Sequence, residues 1–289
     1  MSSAEIAISV IIVTNNSAAV IEECLGSLRA ALVRHRYELI VVDNNSTDHS
    51  ATVAGRVASD ATILTNRDNR GFARACNQGA ASANGRYLFF VNPDVTVDLD
   101  AVDPLLDVFG EQQRIGLASA RLRHLDGRFH ATCRRFPTIR NMLLSRGSFL
   151  SRIFRYGPRR LEAYTLPDYA TTTIVEAVAA TMVMIKRDLF LSCGGFDERF
   201  FLYMEDTDLS LRLNRLGYVN VFVPTAGGVH RWGTGSRAGK LFRQWHQHRS
   251  VWKYFRKHRT GTAGMALLAP SLIVNFILVS ILPVRRRSA

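Results

Sequence analysis

The chain has 289 residues, of which 47% are hydrophobic, 21% charged and 9% aromatic, a composition that supports a large buried core and excludes intrinsic disorder. Its formal net charge of +13 favours an anionic partner, whether a phosphorylated substrate, an anionic lipid surface or nucleic acid. The four cysteines, Cys24, Cys76, Cys133 and Cys193, form no C-x-x-C pair, which speaks against a zinc or disulfide framework and fits a reducing compartment.

The N-terminus lacks the basic flank and separate apolar stretch of a signal peptide, so the body of the protein is expected on the cytoplasmic side. Ile6 to Thr14 is a short, β-branched apolar run with the length of a fully buried strand. Val20, Ile21, Cys24, Leu25, Leu28 and Leu32 then recur at helical spacing. Tyr37 to Val42 predicts a second buried strand, followed by the polar cluster Asp43 to Asp48 and a helix to about Ala58. Ala61 to Leu64 predicts a third strand, Gly71 to Asn84 a helix, and Arg86 to Val91 a fourth strand. This alternation implies βαβ units and a mainly parallel sheet with helices on both faces. Polar clusters follow the strands at Asn15-Asn16, Asp43 to Ser46 and Asn92 to Asp94. Ligands of open α/β sheets bind beyond the carboxyl ends of strands, so these loops can converge on one crevice.

The second half is less regular. Val175 to Ile185 reads as one buried strand, Asp206 to Leu216 as a helix capped by Gly217, and Val219 to Val223 as a further strand. Basic residues dominate from Arg114 to Arg160 and again from Arg243 to Arg259.

Several positions suit chemistry. Asp43 fits an Asx-turn or helix cap, and equally a carboxylate that accepts a hydrogen bond from a base or ribose. Asp94, after Asn92-Pro93, fits a turn; it also fits one oxygen ligand of a hard cation whose other ligands come from phosphate and water. Glu205, Asp206 and Asp208 sit among aromatic and apolar residues just before a helix, an environment suited to a general base. His230, between glycines, is either structural or a metal ligand. Trp232 is either a stacking face for a sugar or a core anchor.

Together these segments resemble the inverting glycosyltransferase family 2, with its GT-A fold, and in particular its rhamnosyltransferase-like branch. The resemblance covers roughly residues 6 to 258 and is carried by Val13 to Asn16, Val42 to Ser46 and Asn69 to Gly79 in that order. It implies that Thr14, Asn16 and Asp43 hold the nucleobase and ribose, and that Asn69, Gly71, Asn77 and Asn92 border the donor site. It further implies Asp94 and His230 as ligands of Mg2+ or Mn2+, Asp206 as the general base, and Glu205 and Trp232 as acceptor-positioning residues. Asn92 stands where the family's motif usually has its first aspartate. That form resembles the rhamnosyl- and galactofuranosyl-transferring members and implies dTDP-rhamnose as donor. A lipid-linked or polysaccharide acceptor of cell-wall or surface-glycan synthesis is implied as well.

Thr262 to Val284 contains no charged residue and is flanked by Lys257-His258-Arg259 and Arg285-Arg286-Arg287, the pattern of a membrane-contacting segment. Pro137 to Arg160 reads as a basic amphipathic interfacial segment. The expected organisation is therefore a GT-A domain over residues 1–258, and a C-terminal hydrophobic membrane-associated segment over 259–289, at the cytoplasmic face of an anionic membrane. A nucleic-acid partner is not expected, because no helix-turn-helix, zinc or RNP pattern occurs and the basic residues lie beside apolar ones. The competing readings are a nucleotidyltransferase, since strand-end aspartates and a metal suit phosphoryl chemistry, and an inactive nucleotide-binding membrane scaffold.

Overall fold

The computed structural model describes residues 6–110, 114–139, 142, 170–231, 233, 239–258 and 261–281. The expected strands and helices of the first half are present as β1 (Ile8–Thr14), α1 (Ile21–Ala31), β2 (Tyr37–Asp43), α2 (Ser50–Val57), β3 (Thr62–Thr65), α3 (Phe72–Ala81) and β4 (Tyr87–Val91). β5 (Val95–Val97), α4 (Val102–Asp107), β6 (Ile115–Arg123), β7 (Phe129–His130) and β8 (Cys133–Arg134) follow. The second half adds β9 (Thr173–Val175), β10 (Ala177–Val178), β11 (Met182–Lys186), α5 (Arg187–Ser192), α6 (Glu205–Arg215), β12 (Val219–His230), α7 (Lys240–Lys257) and α8 (Thr262–Ile281).

The main sheet runs β3-β2-β1-β4-β11-β6-β12-β5, with β7 added to β6 and β9 to β12. β1, β2, β3 and β4 are parallel, β11 is antiparallel to β4 and to β6, and β12 is parallel to β6. Six strands therefore point the same way, and Thr14, Asp43, Val91, Arg123 and His230 all end on one edge. Alternation along the strands separates two cores. Val10, Ile12, Leu39 and Val41 pack against α1, α2 and α4 on one face. Ile11, Ile40 and Val42 pack against α3, α5 and α6 on the other.

Two sequence expectations need correction. Val175 to Ile185 is three short strands, because the chain leaves the main sheet after Val175, pairs β10 with β8, and turns the Ala179 and Ala180 amides toward Thr132 and Asp206 before β11 begins. β12 does not stop at Val223. It crosses Pro224 with a register irregularity between Val223 and Gly227 and continues to His230, as proline and glycine in a strand often mark a bulge rather than an end.

α7 and α8 pack on one another and on the loop before α6, where Phe200, Met204, Val251, Tyr254, Phe255 and Leu268 form a third cluster. Among the described residues, no helix is long and apolar enough to cross a membrane. Most of the amphipathic segment expected over 137–160, Trp232, and the end of the apolar segment at 282–284 lie outside the described residues.

Candidate active site

The first wall of the cleft is built at the ends of β1 and β2, where Thr14 and Asp43 are register partners. Both are buried, and Thr14 Oγ1 and Asp43 Oδ1 have no hydrogen-bond partner within the protein. Such orphaned buried oxygens are costly and mark a place where a ligand supplies the missing bonds. Asp43 Oδ2 is anchored by the Ser46 amide at 3.2 Å. Asn16 closes the loop from outside in a left-handed conformation (φ 62°). Its side-chain Oδ1 accepts from the Thr47 amide at 2.8 Å, and its main-chain amide donates to Ser46 Oγ at 2.9 Å.

Asn44 is the hub of this wall, a role not visible in the sequence. Its Nδ2 donates to Asn69 Oδ1 at 2.9 Å and to the Gly71 carbonyl at 3.2 Å, while its Oδ1 accepts from the Arg70 amide at 3.0 Å. Asn69 Oδ1 also accepts from the Gly71 amide at 3.0 Å. Gly71 opens α3 at φ 83° and ψ 165°, a region essentially restricted to glycine. A Cβ there would lie 2.5 Å from the Phe201 carbonyl oxygen. Asn77 is set apart from this group. Its amide brackets the Phe196 main chain, donating to the carbonyl at 2.8 Å and accepting from the amide at 2.9 Å. There it borders a separate polar cavity of about 380 Å³ that includes Asp197, Arg199, Arg212 and Lys257.

The second wall forms where β4 meets β12. The turn after β4 is fixed by Asn92, whose amide donates to the Thr181 carbonyl at 2.9 Å and whose carbonyl accepts from Val95 at 3.1 Å. Pairing of β5 with β12 sets His230 opposite Val95, and His230 Nε2 lies 3.2 Å from Asp94 Oδ1. Both side chains are buried. His230 Nδ1 is 3.1 Å from His130 Nδ1. Burial, then repulsion from His230 and His124, pushes the His130 pKa down to about 4, so this imidazole is neutral at physiological pH.

The third wall is the start of α6. Tyr203 and Met204 both have positive φ (67° and 70°), a conformation that bulky residues hold only when their surroundings impose it. Ser250 of α7 supplies one restraint by donating to the Leu202 carbonyl at 2.8 Å. Asp206 Oδ1 accepts from the Thr207 amide at 2.6 Å, and Oδ2 from Arg134 Nη2 at 3.0 Å. Arg134 sits on β8, close enough to His130 to act on its charge, so it links the α6 wall to the histidine wall. Glu205 is buried with Oε2 unpartnered. Burial and the neighbouring Asp206 raise its pKa well above the usual value. Asp208 points the other way. Arg212 Nε at 2.8 Å, Lys257 Nζ at 2.5 Å and His258 Nε2 at 2.9 Å surround its fully buried carboxylate and tie α6 to α7.

Thr14, Asn16, Asp43, Asn69, Gly71, Asn92, Asp94, Glu205, Asp206 and His230 thus line or support one edge of the sheet. His130 and Arg134 were missed by sequence reasoning. The turn signal Asp126-Gly127, with Gly127 at φ 79°, was the cue to the β6–β7 hairpin that brings them there.

A mixed sheet whose polar loops gather buried acids, amides and a histidine along its carboxyl edge is the architecture of a GT-A-like glycosyltransferase. Residues 9–179 match Glycosyl transferase family 2, and residues 170–286 match Glycosyl transferase family group 2. The chain belongs to glycosyltransferase family 2 and is a glycosyltransferase with rhamnosyltransferases among its relatives. Over 237 residues it is 29% identical to the N-acetylglucosaminyl-diphospho-decaprenol L-rhamnosyltransferase of Mycobacterium tuberculosis, covering 76% of this chain and 75% of that protein. It is 25% identical over 181 residues to the rhamnosyltransferase WbbL of Escherichia coli K12, covering 61% and 64%. The fold is similar to that of a mannosyltransferase from Pyrobaculum calidifontis solved with GDP-Man and Mn2+. The TM-score is 0.60 at 18% identity, over 97% of this chain and 77% of that one.

Proposed function

We propose that the enzyme transfers rhamnose from a nucleoside-diphosphate donor, dTDP-rhamnose, to a lipid-linked acceptor in surface-glycan synthesis, inverting the anomeric centre. The observation that carries the donor side is the pair of buried, unpartnered oxygens Thr14 Oγ1 and Asp43 Oδ1 on adjacent strand ends. A nucleoside offers donors to both. The choice of sugar is supported by the names of the mycobacterial and Escherichia coli relatives, and that of a diphosphate-linked lipid by the mycobacterial name.

Asp94 and His230 are the residues that would hold a divalent cation, Mg2+ or Mn2+. Their chemistry fits one: a carboxylate oxygen and an imidazole nitrogen stand 3.2 Å apart, both buried. No group of three or more His, Cys, Asp or Glu poised for a metal occurs among the described residues, so diphosphate and water oxygens would complete the shell. When bound, the cation neutralises charge gathering on the leaving diphosphate. Asp206 takes the proton of the acceptor hydroxyl as its oxygen attacks the anomeric carbon. Arg134 and the Thr207 amide hold that carboxylate in place. Glu205, buried beside Asp206, helps to position the acceptor, as would Trp232.

The α7–α8 pair is the proposed contact with the cytoplasmic face of an anionic membrane. α7 carries Lys240, Arg243, Arg249, Lys253, Arg256 and Lys257 and no acidic residue. Leu241 and Trp245 on α7, with Leu267, Ile273, Ile277 and Ile281 on α8, are exposed. Apolar side chains beside basic ones suit an anionic interface. A donor panel with purified enzyme and membrane lipids, read by product mass spectrometry, tests the whole reading. A deoxyhexose increment on a diphosphate-linked lipid, with release of nucleoside diphosphate, is expected. A different mass increment overturns the sugar, and release of pyrophosphate overturns transferase chemistry.

A further inference from the structure

One stripe of α7 is laid along the loop that leads into α6. Arg243, His246, Ser250, Lys253 and Lys257 recur at alternating spacings of three and four, so they share one face of the helix. Lys257 Nζ reaches Asp197 Oδ2 at 2.7 Å, and Lys253 Nζ donates to the Arg199 carbonyl. Ser250 Oγ donates to the Leu202 carbonyl at 2.8 Å, and the His246 ring stacks on Phe201 with centroids 4.2 Å apart. The stripe therefore climbs the loop toward Tyr203, and its last member is Arg243. Among the described residues, the Arg243 guanidinium has neither an ion pair nor a side-chain hydrogen bond.

Arg243 faces an aromatic shelf. Tyr203 is held at φ 67° yet leaves 38% of its surface open. Backbone strain of this kind clusters at ligand sites. Burial of the rest of the ring raises the Tyr203 pKa, Arg243 opposes that and Glu205 adds to it, so the phenol feels both the cation and the acid beside the proposed base. Phe242 is exposed and stands edge-on to Phe201 at 5.8 Å, which widens the shelf. Leu241 and Trp245, on the same stretch of α7, are exposed as well, with Trp245 against Phe276 of α8 at 5.7 Å.

From Asp206 to α7 the protein thus offers, in turn, a carboxylate, a flat ring, an unpaired cation and an apolar surface. A lipid-linked sugar carries the complementary groups in the same order: a hydroxyl, a sugar ring, a phosphate and a hydrocarbon tail. We propose that Tyr203 and Arg243 form the acceptor subsite, with the sugar ring on Tyr203, its phosphate on Arg243 and the lipid tail leaving over Leu241 and Trp245. The inference deepens the lipid-linked reading of the acceptor and rests on it. The forked guanidinium donors match phosphate oxygens, and the open face of Tyr203 gives the apolar side of a sugar a surface to cover. The pair also sets direction, turning the phosphate toward α7 and the reacting hydroxyl toward Asp206.

The test uses the full-length enzyme and two acceptor probes. One is N-acetylglucosaminyl diphosphate bearing a farnesyl tail, its sugar taken from the mycobacterial relative's name. The other is farnesyl N-acetylglucosaminide, with the same sugar and tail but no phosphate. Wild type is expected to favour the phosphorylated probe by about tenfold or more in kcat/KM. Arg243→Gln is expected to lose most of that preference through KM rather than kcat, with dTDP affinity by calorimetry within about twofold of wild type. Arg243→Lys, which keeps the charge but not the fork, should restore part of it. Tyr203→Leu is expected to raise KM for both probes by roughly fivefold, and Tyr203→Phe to recover most of that loss. Equal kcat/KM for the two probes in wild type, an undiminished preference in Arg243→Gln, or a loss of dTDP affinity that matches the loss of preference overturns the phosphate role of Arg243. Wild-type KM values in Tyr203→Leu overturn the ring contact. Absence of transfer to either probe by wild type overturns the lipid-linked reading, and this inference with it.

Discussion

Arg134 Nη2 donates to Asp206 Oδ2 at 3.0 Å, joining a two-residue strand that sequence periodicity does not reveal to the carboxylate proposed as the general base. The Thr207 amide holds the other oxygen. The carboxylate is thus fixed by one charge, the main-chain amides of Thr207 and Ala180, and the Thr207 hydroxyl. Asp206→Asn keeps the shape but removes the basicity, so kcat should fall by ~10²–10⁴-fold while donor binding by calorimetry stays near wild type. Arg134→Gln should lower kcat by at least about tenfold, a barrier increase of ~1.4 kcal/mol, with little change in donor affinity. Wild-type turnover in Asp206→Asn would remove it from the base role.

Thr14→Val separates stability from function. The hydroxyl is buried without a partner, and valine matches its shape. Removing an unsatisfied polar atom should raise unfolding free energy by about 1 kcal/mol. The same change deletes a proposed nucleotide contact, so affinity for the nucleoside diphosphate should drop by ~5–10-fold. Urea denaturation and calorimetry on one preparation check both signs.

Gly71→Ala should harm both halves of the cleft. The backbone there is in a region that costs a side-chain-bearing residue about 1–3 kcal/mol. The added methyl would also meet Phe201 main chain at 2.5 Å. Unfolding free energy should fall by at least ~2 kcal/mol, and both donor affinity and kcat should decline together. A variant as stable as wild type would contradict the close approach.

Asp208 governs acid stability. Burial opposes its ionisation, but hydrogen bonds from His258, Lys257 and Arg212 outweigh that and hold its pKa below the ordinary 3.8. The unfolded chain therefore binds this proton more readily than the folded one. The stabilisation is present above about pH 4 and is lost as pH falls through the lower, folded value. Asp208→Asn should cost ~3–5 kcal/mol at pH 7, because it takes the buried carboxylate away from the largely buried Arg212 guanidinium and Lys257 ammonium. The cost should shrink steadily below pH 4. Thermal unfolding across pH 2–7 measures the gap, and a constant difference would exclude the linkage.

The first four strands and their loops were legible because parallel strands buried on both faces read as nearly unbroken apolar runs. Thr14, Asp43 and Asp94 then fell at or just beyond predictable ends. What stayed hidden was set by long-range pairing. Cys133 meets Val178, and His130 reaches His230, through strands of two residues that carry no periodic signal. The Asn44 hub looked like turn composition, since an amide bonding to Asn66, Asn69, Arg70 and Gly71 is indistinguishable in sequence from one facing water. Asn77 lay inside a recognisable motif, yet its side chain secures the Phe196 turn, a partner 119 positions away.

The amide of Phe72 donates to the carbonyl of Phe201 at 2.8 Å. A peptide-to-peptide latch therefore couples the helix that begins beside the nucleotide loop to the segment that presents Glu205 and Asp206. A shift of α3 would be passed through this bond to the proposed acceptor side. Since the latch consists of main chain, no single side-chain truncation can cut that line of communication.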